Sequence, residues 1–200
     1  MMENFVNDFY SVLNYLSIEK AIVCGLSMGG YITLRAAIKY PDKFSAIILA
    51  DTKAEKDDDT GLIARANSID QIKTGKLKEF LEDFLTKLIS KNSINNSELI
   101  ALLNGIMNKQ TPEGICAALI VLATRTNTID SLDTINIPSL IIVGEEDVLT
   151  PLKFAENMNN KLNHSKLEII PGTGHLSNLE NPSKFNLIVD KFLDNLKLKK

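Results

Sequence analysis

The 200-residue sequence predicts an α/β protein, with a parallel sheet flanked by helices and a helical segment inserted after the second strand. Short apolar runs bounded by glycine or charge alternate with helical patterns, as in a βαβ unit. Between residues 53 and 136 the strand pattern disappears and amphipathic helical patterns replace it. The alternation then resumes, so we expect one domain of four parallel strands.

The elements before the insertion follow from the spacing of apolar residues. Helical spacing from residue 3 to residue 16 predicts an amphipathic first helix. The apolar run 21–24 is too short for a helix and is followed by glycine, so it predicts a buried parallel strand. A helix over Met28–Lys39 ends before a proline, and Phe44–Ala50 is the second buried strand.

The later elements repeat these signals. Three helices are predicted in the insertion, at residues 76–89, at residues 97–107 and from Thr111-Pro112 onward, where a capping residue precedes a proline. The strand pattern returns at residues 139–144 and 167–170. The first of these strands precedes a helix that Thr150-Pro151 caps, and the second precedes a helix that Asn181-Pro182 opens.

Composition and charge exclude several classes of partner. The formal net charge is -3, and basic residues are scattered apart from the Lys-rich tail after Asp194, so no nucleic-acid footprint is present. The first residues carry acidic groups and no basic-then-apolar run, so we expect a cytoplasmic protein. The longest apolar stretch, residues 114–123, is too short to span a bilayer.

The two cysteines do not indicate a metal site or a disulfide. Cys24 lies in an apolar strand and Cys116 in an apolar helix, and neither has the spacing of a metal ligand or a disulfide framework. Because a free cysteine packs as a small hydrophobic residue, we expect both in the core.

The segment Gly25-Leu26-Ser27-Met28-Gly29 lies between a predicted strand and a predicted helix, which is the context of a G-x-S-x-G nucleophile elbow. Such a serine lies on a strained turn with its oxygen exposed. We expect side chains at both flanking glycines to collide with the neighbouring strand and helix. The alternative is a glycine-rich turn that cradles a phosphate, although such loops space their glycines differently. Ser27 is therefore the candidate nucleophile.

Ser27 needs a base, and the sequence offers two histidines. His175 lies in a loop directly after the last strand, whereas His164 lies in a polar turn and is expected to be solvated. The carboxyl ends of parallel strands meet at one edge of the sheet, where Ser27 also lies, so His175 is the candidate base. The alternative is a loop histidine without a role.

The acid that orients the histidine is less clear from the residues alone. Glu145, Glu146 and Asp147 follow the third strand, and we expect two of these three to be solvated loop charges. Asp51, at the end of the second strand, competes with them. An orienting acid favours the protonated imidazole without taking the proton itself, and all of these carboxylates could do so.

These segments resemble the α/β-hydrolase superfamily over the whole length, and within it most of all the 3-oxoadipate enol-lactone hydrolases and related small carboxylesterases. The resemblance rests on residues 25–30, on residues 144–151, and on the block that runs from residue 174 into Asn181-Pro182. Residues 111–114 also resemble the enol-lactonase pattern. In the second block Asp147 matches the family's acid, and serine, acid and histidine follow in the family's order.

The resemblance implies a partial α/β-hydrolase fold, with residues 1–52 and 137–200 as the core and residues 53–136 as a helical lid. It implies a serine hydrolase that cleaves a small carboxylic ester or lactone through an acyl-enzyme, without a metal or an organic cofactor. Ser27 would attack the carbonyl, His175 would carry the proton and Asp147 would orient the ring. The Met28 N–H would bind the oxyanion.

Two alternatives stay open at this point. The same triad can pass an acyl group to peroxide, as in cofactor-free perhydrolases and haloperoxidase-like enzymes. The chain could also be a truncated, non-catalytic fragment that acts as an interaction module.

One departure from the family concerns the beginning of the sequence. Family members have several strands, a helix and a His-Gly loop before the helix that opens this sequence. We therefore expect one oxyanion-hole donor to be missing, which typically lowers the rate on the order of 100- to 1000-fold. We also expect strand 21–24 to lie at a sheet edge, where it would pair with a second copy or a partner chain.

Overall fold

The computed structural model describes residues 1–196, and a parallel sheet forms its centre. The tail residues 197–200 lie outside the described residues. The described sheet contains four strands, β1 (Ala21–Leu26), β2 (Phe44–Ala50), β3 (Ser139–Gly144) and β4 (Ser165–Ile170). Their spatial order is the order of the chain, and all neighbouring pairs are parallel. The predicted α/β class is therefore confirmed, with β1 and β4 at the edges.

Nine α-helices lie within the described residues. They are α1 (Met2–Tyr15), α2 (Met28–Lys39), α3 (Asp59–Lys73), α4 (Leu77–Leu88), α5 (Ser97–Met107), α6 (Pro112–Ala123), α7 (Leu152–Lys161), α8 (Ser177–Glu180) and α9 (Pro182–Asn195). Short 3-10 turns span Pro41–Lys43 and Ile129–Thr134. None of the helices described here has the length and apolar character that crossing a membrane requires.

The helix α3 has no counterpart among the predicted helices. Its apolar residues do not form a stripe, and within the helix only Ile72 is buried. Its start is nevertheless well defined, because the Asp58 carboxylate accepts a hydrogen bond from the Gly61 N–H at 2.8 Å. The start of the helix is thus marked by a cap, while its packing rests on a few apolar residues such as Ile69 and Ile72 rather than on a continuous stripe.

Helices cover both faces of the sheet. On one face Val6 of α1, Leu34 of α2 and Met158 of α7 pack against β2 and β3. On the other face Ile188 of α9 packs against Ile142 of β3. Because both faces are covered, the central strands are apolar at nearly every position rather than alternating, with Ser45 and Ser139 as the polar residues.

The inserted helices α3 to α6 lie between β2 and β3 in the chain and form apolar clusters of their own. One cluster joins Leu99 and Leu103 of α5 to Leu149 and Leu176, which lie in the loops after β3 and β4. A second cluster contains Ile72, Phe80 and Cys116. The insertion therefore packs over the carboxyl edge of the sheet.

The two cysteines differ in their surroundings. Cys116 is buried in the second cluster of the insertion, as expected. Cys24 is exposed, so the expectation that it is a core residue is wrong. The reason is that Cys24 belongs to β1, which lies at an edge of the described sheet.

Candidate active site

Ser27, His175 and Asp147 meet at the carboxyl edge of the sheet. His175 Nε2 lies 2.8 Å from Ser27 Oγ, and His175 Nδ1 lies 2.9 Å from Asp147 Oδ2. An ionised carboxylate can only accept a hydrogen bond, so Nδ1 carries the ring proton and Nε2 accepts from the serine hydroxyl. A ring held in this tautomer can take the serine proton during nucleophilic attack.

The turn that carries Ser27 is strained. Ser27 has a φ of 49°, in the left-handed region that residues other than glycine rarely adopt. Two hydrogen bonds to the end of β2 and its loop hold it there: Ser27 N–H donates to the Ala50 carbonyl at 2.9 Å, and Thr52 Oγ1 donates to the Ser27 carbonyl at 2.7 Å. The predicted elbow between strand and helix is therefore present.

The glycines around this turn are not equivalent. A Cβ at Gly25 would lie 2.4 Å from the Gly29 carbonyl oxygen, and a Cβ at Gly30 would lie 2.4 Å from Thr52 Oγ1. A Cβ at Gly29 would meet nothing within 4 Å. We expected that side chains would collide at both flanking glycines. This is correct for Gly25 and wrong for Gly29, and the second position with no room for a side chain is Gly30, beside Thr52.

The Asp147 carboxylate is buried and fully hydrogen-bonded. Its Oδ1 accepts from the N–H groups of Leu149 and Thr150 at 2.8 and 2.9 Å, and its Oδ2 accepts from Thr150 Oγ1 at 2.6 Å as well as facing His175. Burial opposes the charge, but the hydrogen bonds from His175 and Thr150 outweigh it and hold the pKa of Asp147 below its ordinary value. Asp147 is thus an ionised group in hydrogen-bonding contact with the His175 ring.

Thr150 is a site residue that the sequence patterns assign wrongly. We expected it to cap the helix that follows, but α7 begins at Leu152 with Pro151 at its N-cap and no side-chain cap. The Thr150 hydroxyl instead donates to Asp147 and lies 3.3 Å from His175 Nδ1. The available signal was a hydroxyl residue three positions after an aspartate, which is typical of a local side-chain turn.

The other candidate carboxylates and the second histidine lie at the surface, as expected. Glu145 and Glu146 are exposed, and they accept hydrogen bonds from the Gly172 N–H and from Asn92 at 3.0 and 3.2 Å. His164 is exposed in the turn before β4. None of these three side chains reaches the Ser27 hydroxyl within the hydrogen-bond network of residues 1–196.

Asp51, the competing acid, is buried beside the site but bonds to different groups. Its Oδ1 accepts from the Gly144 N–H at 2.8 Å, and its Oδ2 accepts from Ser177 Oγ at 2.6 Å and from Ser177 N–H at 3.2 Å. Burial raises the pKa of Asp51 to about 7, although these hydrogen bonds oppose the rise. Asp51 therefore joins the end of β2 to the end of β3 and to the start of α8, next to the loops that carry Asp147 and His175.

Met28, the candidate oxyanion donor, follows Ser27 directly. It is the first residue of α2. The first N–H groups of a helix have no carbonyl of the preceding turn to bond to, so they are available to a ligand. The positive end of the helix dipole also favours a negative charge there.

A cavity of about 400 Å³ opens at Ser27 and His175. Its apolar wall comes largely from the insertion, through Phe80, Phe84, Leu119 and Leu122. The loop after β3 adds Val148 and Leu149. A small organic molecule would therefore contact apolar side chains on one side and the Ser27 hydroxyl on the other.

Lys53, Asp57 and Arg65 also line this cavity and form a charged cluster with the buried Arg125, and no sequence motif marks this cluster. The buried Asp57 accepts from Arg125 at 2.7 Å and from Arg65, and Lys53 Nζ lies 3.3 Å from it. Burial opposes its charge, but the bonds from Arg125 and Arg65 hold the pKa of Asp57 below its ordinary value. Burial also lowers the pKa of Lys53. Even with a neutral lysine, two arginines face one carboxylate, so positive charge is in excess.

The chain is similar to known hydrolases. The chain is 30% identical to 3-oxoadipate enol-lactonase 1 of Acinetobacter baylyi over 196 residues, which cover 98% of this chain and 72% of that protein. It is 29% identical to 3-oxoadipate enol-lactonase 2 of the same organism, over 92% of this chain and 67% of the relative. The structure of a thermophilic esterase from Thermogutta terrifontis superposes with a TM-score of 0.91 at 28% identity, covering 98% of this chain and 73% of the esterase.

The match to a protein family is equally extensive. Residues 2–182 match the family described as alpha/beta hydrolase fold, which includes the insertion and all four strands. The resemblance to the α/β-hydrolase superfamily that residues 25–30, residues 144–151 and the block from residue 174 indicate is thereby confirmed. The chain belongs to the alpha/beta hydrolase fold family and is a hydrolase.

Proposed function

We propose that this hydrolase cleaves a small carboxylic ester or lactone through a Ser27-His175-Asp147 triad and an acyl-enzyme. The observation that carries the proposal is the pair of hydrogen bonds that His175 makes, at 2.8 Å to Ser27 and 2.9 Å to Asp147, at the floor of a cavity. The names of the relatives, two enol-lactonases and an esterase, support the same class of bond.

In the first half of the reaction, Ser27 Oγ attacks the substrate carbonyl and His175 Nε2 takes the hydroxyl proton. The ring becomes positively charged, and the Asp147 carboxylate stabilises it without accepting the proton. The Met28 N–H donates to the oxyanion of the tetrahedral intermediate. Collapse of the intermediate moves the proton from His175 to the leaving oxygen and leaves the acyl group on Ser27.

In the second half, a water molecule attacks the acyl-enzyme while His175 accepts a proton from that water. The second tetrahedral intermediate expels Ser27 Oγ, which regains its proton from His175, and the carboxylic acid is released. These steps use only side chains and one backbone donor, so the proposal includes no metal or organic cofactor. We assign one oxyanion donor to Met28, and the expectation of a missing second donor stays a prediction.

We propose further that residues 53–136 act as a lid on a core formed by residues 1–52 and 137–200. Two observations support this division. Side chains of α4 and α6 line the cavity at Ser27. The Glu180 carboxylate also accepts from Ser90 in the insertion at 2.8 Å and from Gly174 in the histidine loop at 2.6 Å.

The charged cluster supports a substrate that carries a carboxylate. Lys53 and Arg65 line the cavity together with Ser27 and His175. Arg125 is bonded to the carbonyl of Leu122 at 2.7 Å and is almost fully buried, so it serves to hold Asp57. An oxoadipate has two carboxyl groups, and forming a lactone uses one of them. We propose that Lys53 and Arg65 bind the remaining carboxylate.

The alternatives have less support. The relatives named above are lactonases and an esterase, and neither a perhydrolase-like activity nor a non-catalytic interaction module follows from them. The cytoplasmic location stays a prediction from the sequence.

We expect Asp147→Asn to lower kcat for ester hydrolysis far more than Asp51→Asn. An amide at the orienting position favours the wrong imidazole tautomer, an effect worth about 10⁴ in rate in serine proteases. Hydrolysis of a chromogenic acetate ester gives the rates, and urea unfolding shows that both variants fold. A larger loss at Asp51 would move the acid to the end of β2.

The carboxylate proposal predicts a preference that depends on charge. For Lys53→Met, kcat/KM for the monomethyl ester of glutaric acid should fall about 10- to 100-fold more than kcat/KM for the dimethyl ester, because a charge-assisted hydrogen bond is lost. Lys56→Met is the matched control, since Lys56 is exposed and outside the cavity. Equal losses for the two esters in Lys53→Met would rule the subsite out.

We also propose that the chain self-associates through β1 and the exposed face of α1. β1 carries no charge or proline, whereas the other edge strand, β4, presents Lys166 and Glu168, a pair of charges that discourages edge pairing. α1 exposes four large apolar residues, Phe5, Val12, Tyr15 and Leu16 when its C-cap is included. This edge and this helix face are the surface that we expect a second copy to cover.

A lysine on the exposed edge of β1 should weaken this association. Cys24→Lys is the suitable change, because Val23 packs against the core and Cys24 is exposed. Ile169→Lys, at an exposed position of β4, is the matched control. Light scattering with size-exclusion chromatography over a dilution series should show that the Cys24→Lys chain dissociates at a higher protein concentration than the wild type. The Ile169→Lys chain should dissociate at the same concentration as the wild type. A wild-type monomer at micromolar concentration would contradict the proposal.

A further inference from the structure

Asp51 is buried and strained, and the reaction as proposed above does not use it. Its exposed fraction is 0%, and its φ is 45°. Its own N–H donates to the Ile142 carbonyl at 2.8 Å, which fixes it to β3. Strained residues at buried positions persist where the surrounding structure holds them, and they cluster at functional sites.

The partners of Asp51 lie close in sequence to two members of the triad. Gly144, which donates to Asp51 Oδ1, comes three residues before Asp147. Ser177, which donates to Oδ2 through both its hydroxyl and its N–H, comes two residues after His175. The one carboxylate therefore joins the end of β2 to the end of β3, just before the Asp147 loop, and to the start of α8, just after the His175 loop.

Only the ionised carboxylate can accept from all of these donors in the observed geometry. A protonated carboxyl group carries an O–H donor on one oxygen. A proton on Oδ2 would face the Ser177 N–H, and a proton on Oδ1 would face the Gly144 N–H, so at least one bond must lengthen or the Ser177 hydroxyl must turn. Protonation of Asp51 thus lengthens or rearranges at least one of the bonds that hold the end of β3 and the start of α8.

The charge of Asp51 changes in the neutral range. Burial and, to a smaller extent, the neighbouring Asp147 carboxylate raise the pKa of Asp51 to about 7, although hydrogen bonds from Ser177 and Gly144 and the nearby His175 oppose the rise. Cys24 of β1 is exposed at the surface, but partial burial of its thiol, together with the Asp51 charge, raises the pKa of that thiol. The titratable groups that interact electrostatically with Asp51 are therefore His175, Asp147 and Cys24.

We propose that Asp51 is a positioning residue whose ionised carboxylate keeps the Asp147 and His175 loops in hydrogen-bonding register. The hydrolase is then fully active only when Asp51 and His175 have both lost their protons. This inference rests on the proposed function. A histidine base requires one deprotonation. The inference adds a second one, on the Asp51 carboxyl group, which touches neither the substrate nor the imidazole.

The test is the slope of log kcat/KM against pH on the acid side, measured between pH 5 and pH 9 with a neutral ester. Two required deprotonations give a limiting slope of about two, and one gives a slope of about one. We expect the wild type to approach two and Asp51→Asn to approach one, because asparagine does not titrate. Glu146→Gln, which removes an exposed carboxylate from the Asp147 loop, should keep the wild-type slope.

A second variant keeps the inference testable if Asp51→Asn does not fold. Ser177→Ala removes a hydrogen bond that favours the ionised carboxylate, so the acid limb of the profile should move to higher pH. A merely structural role would lower activity by the same factor at all pH values. A wild-type slope of one, or an unchanged slope in Asp51→Asn, would overturn the inference. Absence of any ester hydrolysis by the wild type would instead count against the proposed function.

Discussion

The parallel direction of the four strands is the constraint on which the site depends. Parallel strands end at the same edge of a sheet, so the loops that follow them must meet there. Ser27 follows β1 directly, Asp51 follows β2 directly, and Asp147 and His175 lie in the loops after β3 and β4. Ser27 and His175 are 148 residues apart in sequence and yet hydrogen-bonded. Reversing one strand would carry its loop to the opposite edge and separate the groups.

Three buried aspartates around this edge show how surroundings give one residue type different properties. Asp147 keeps its charge because His175, Thr150 and backbone N–H groups bond to it. Asp57 keeps its charge because arginines bond to it. Asp51 has hydrogen bonds but no direct cationic partner, so burial raises its pKa to about 7. The roles proposed for the three residues follow from these differences. Asp147 orients His175, Asp57 pairs with the cations proposed to bind the substrate carboxylate, and Asp51 holds its hydrogen-bond partners only while it is ionised.

The sequence predicts what depends on local pattern and leaves out what depends on contacts between distant segments. Apolar runs and caps predict β2, β3, α2 and α5 to the residue. The helix α3 has no apolar stripe, so periodicity could not reveal it. Thr150 donates to Asp147, but its place before a proline is equally typical of a helix cap, so the pattern alone could not distinguish the two roles. The close approach at Gly30 rather than at Gly29 depends on Thr52, which is distant in sequence. The hydrogen bonds of Asp51 likewise depend on distant residues such as Gly144.

The central claim is that His175, held by Asp147, activates the Ser27 hydroxyl for attack on an electrophile. A fluorophosphonate tests this step directly, because it phosphonylates an activated serine and stays attached. Intact-mass spectrometry followed by peptide mapping should show one phosphonyl group per chain, on Ser27, and none on Ser27→Ala. A wild-type chain that stays unmodified, or a Ser27→Ala chain that is still modified, would contradict the account.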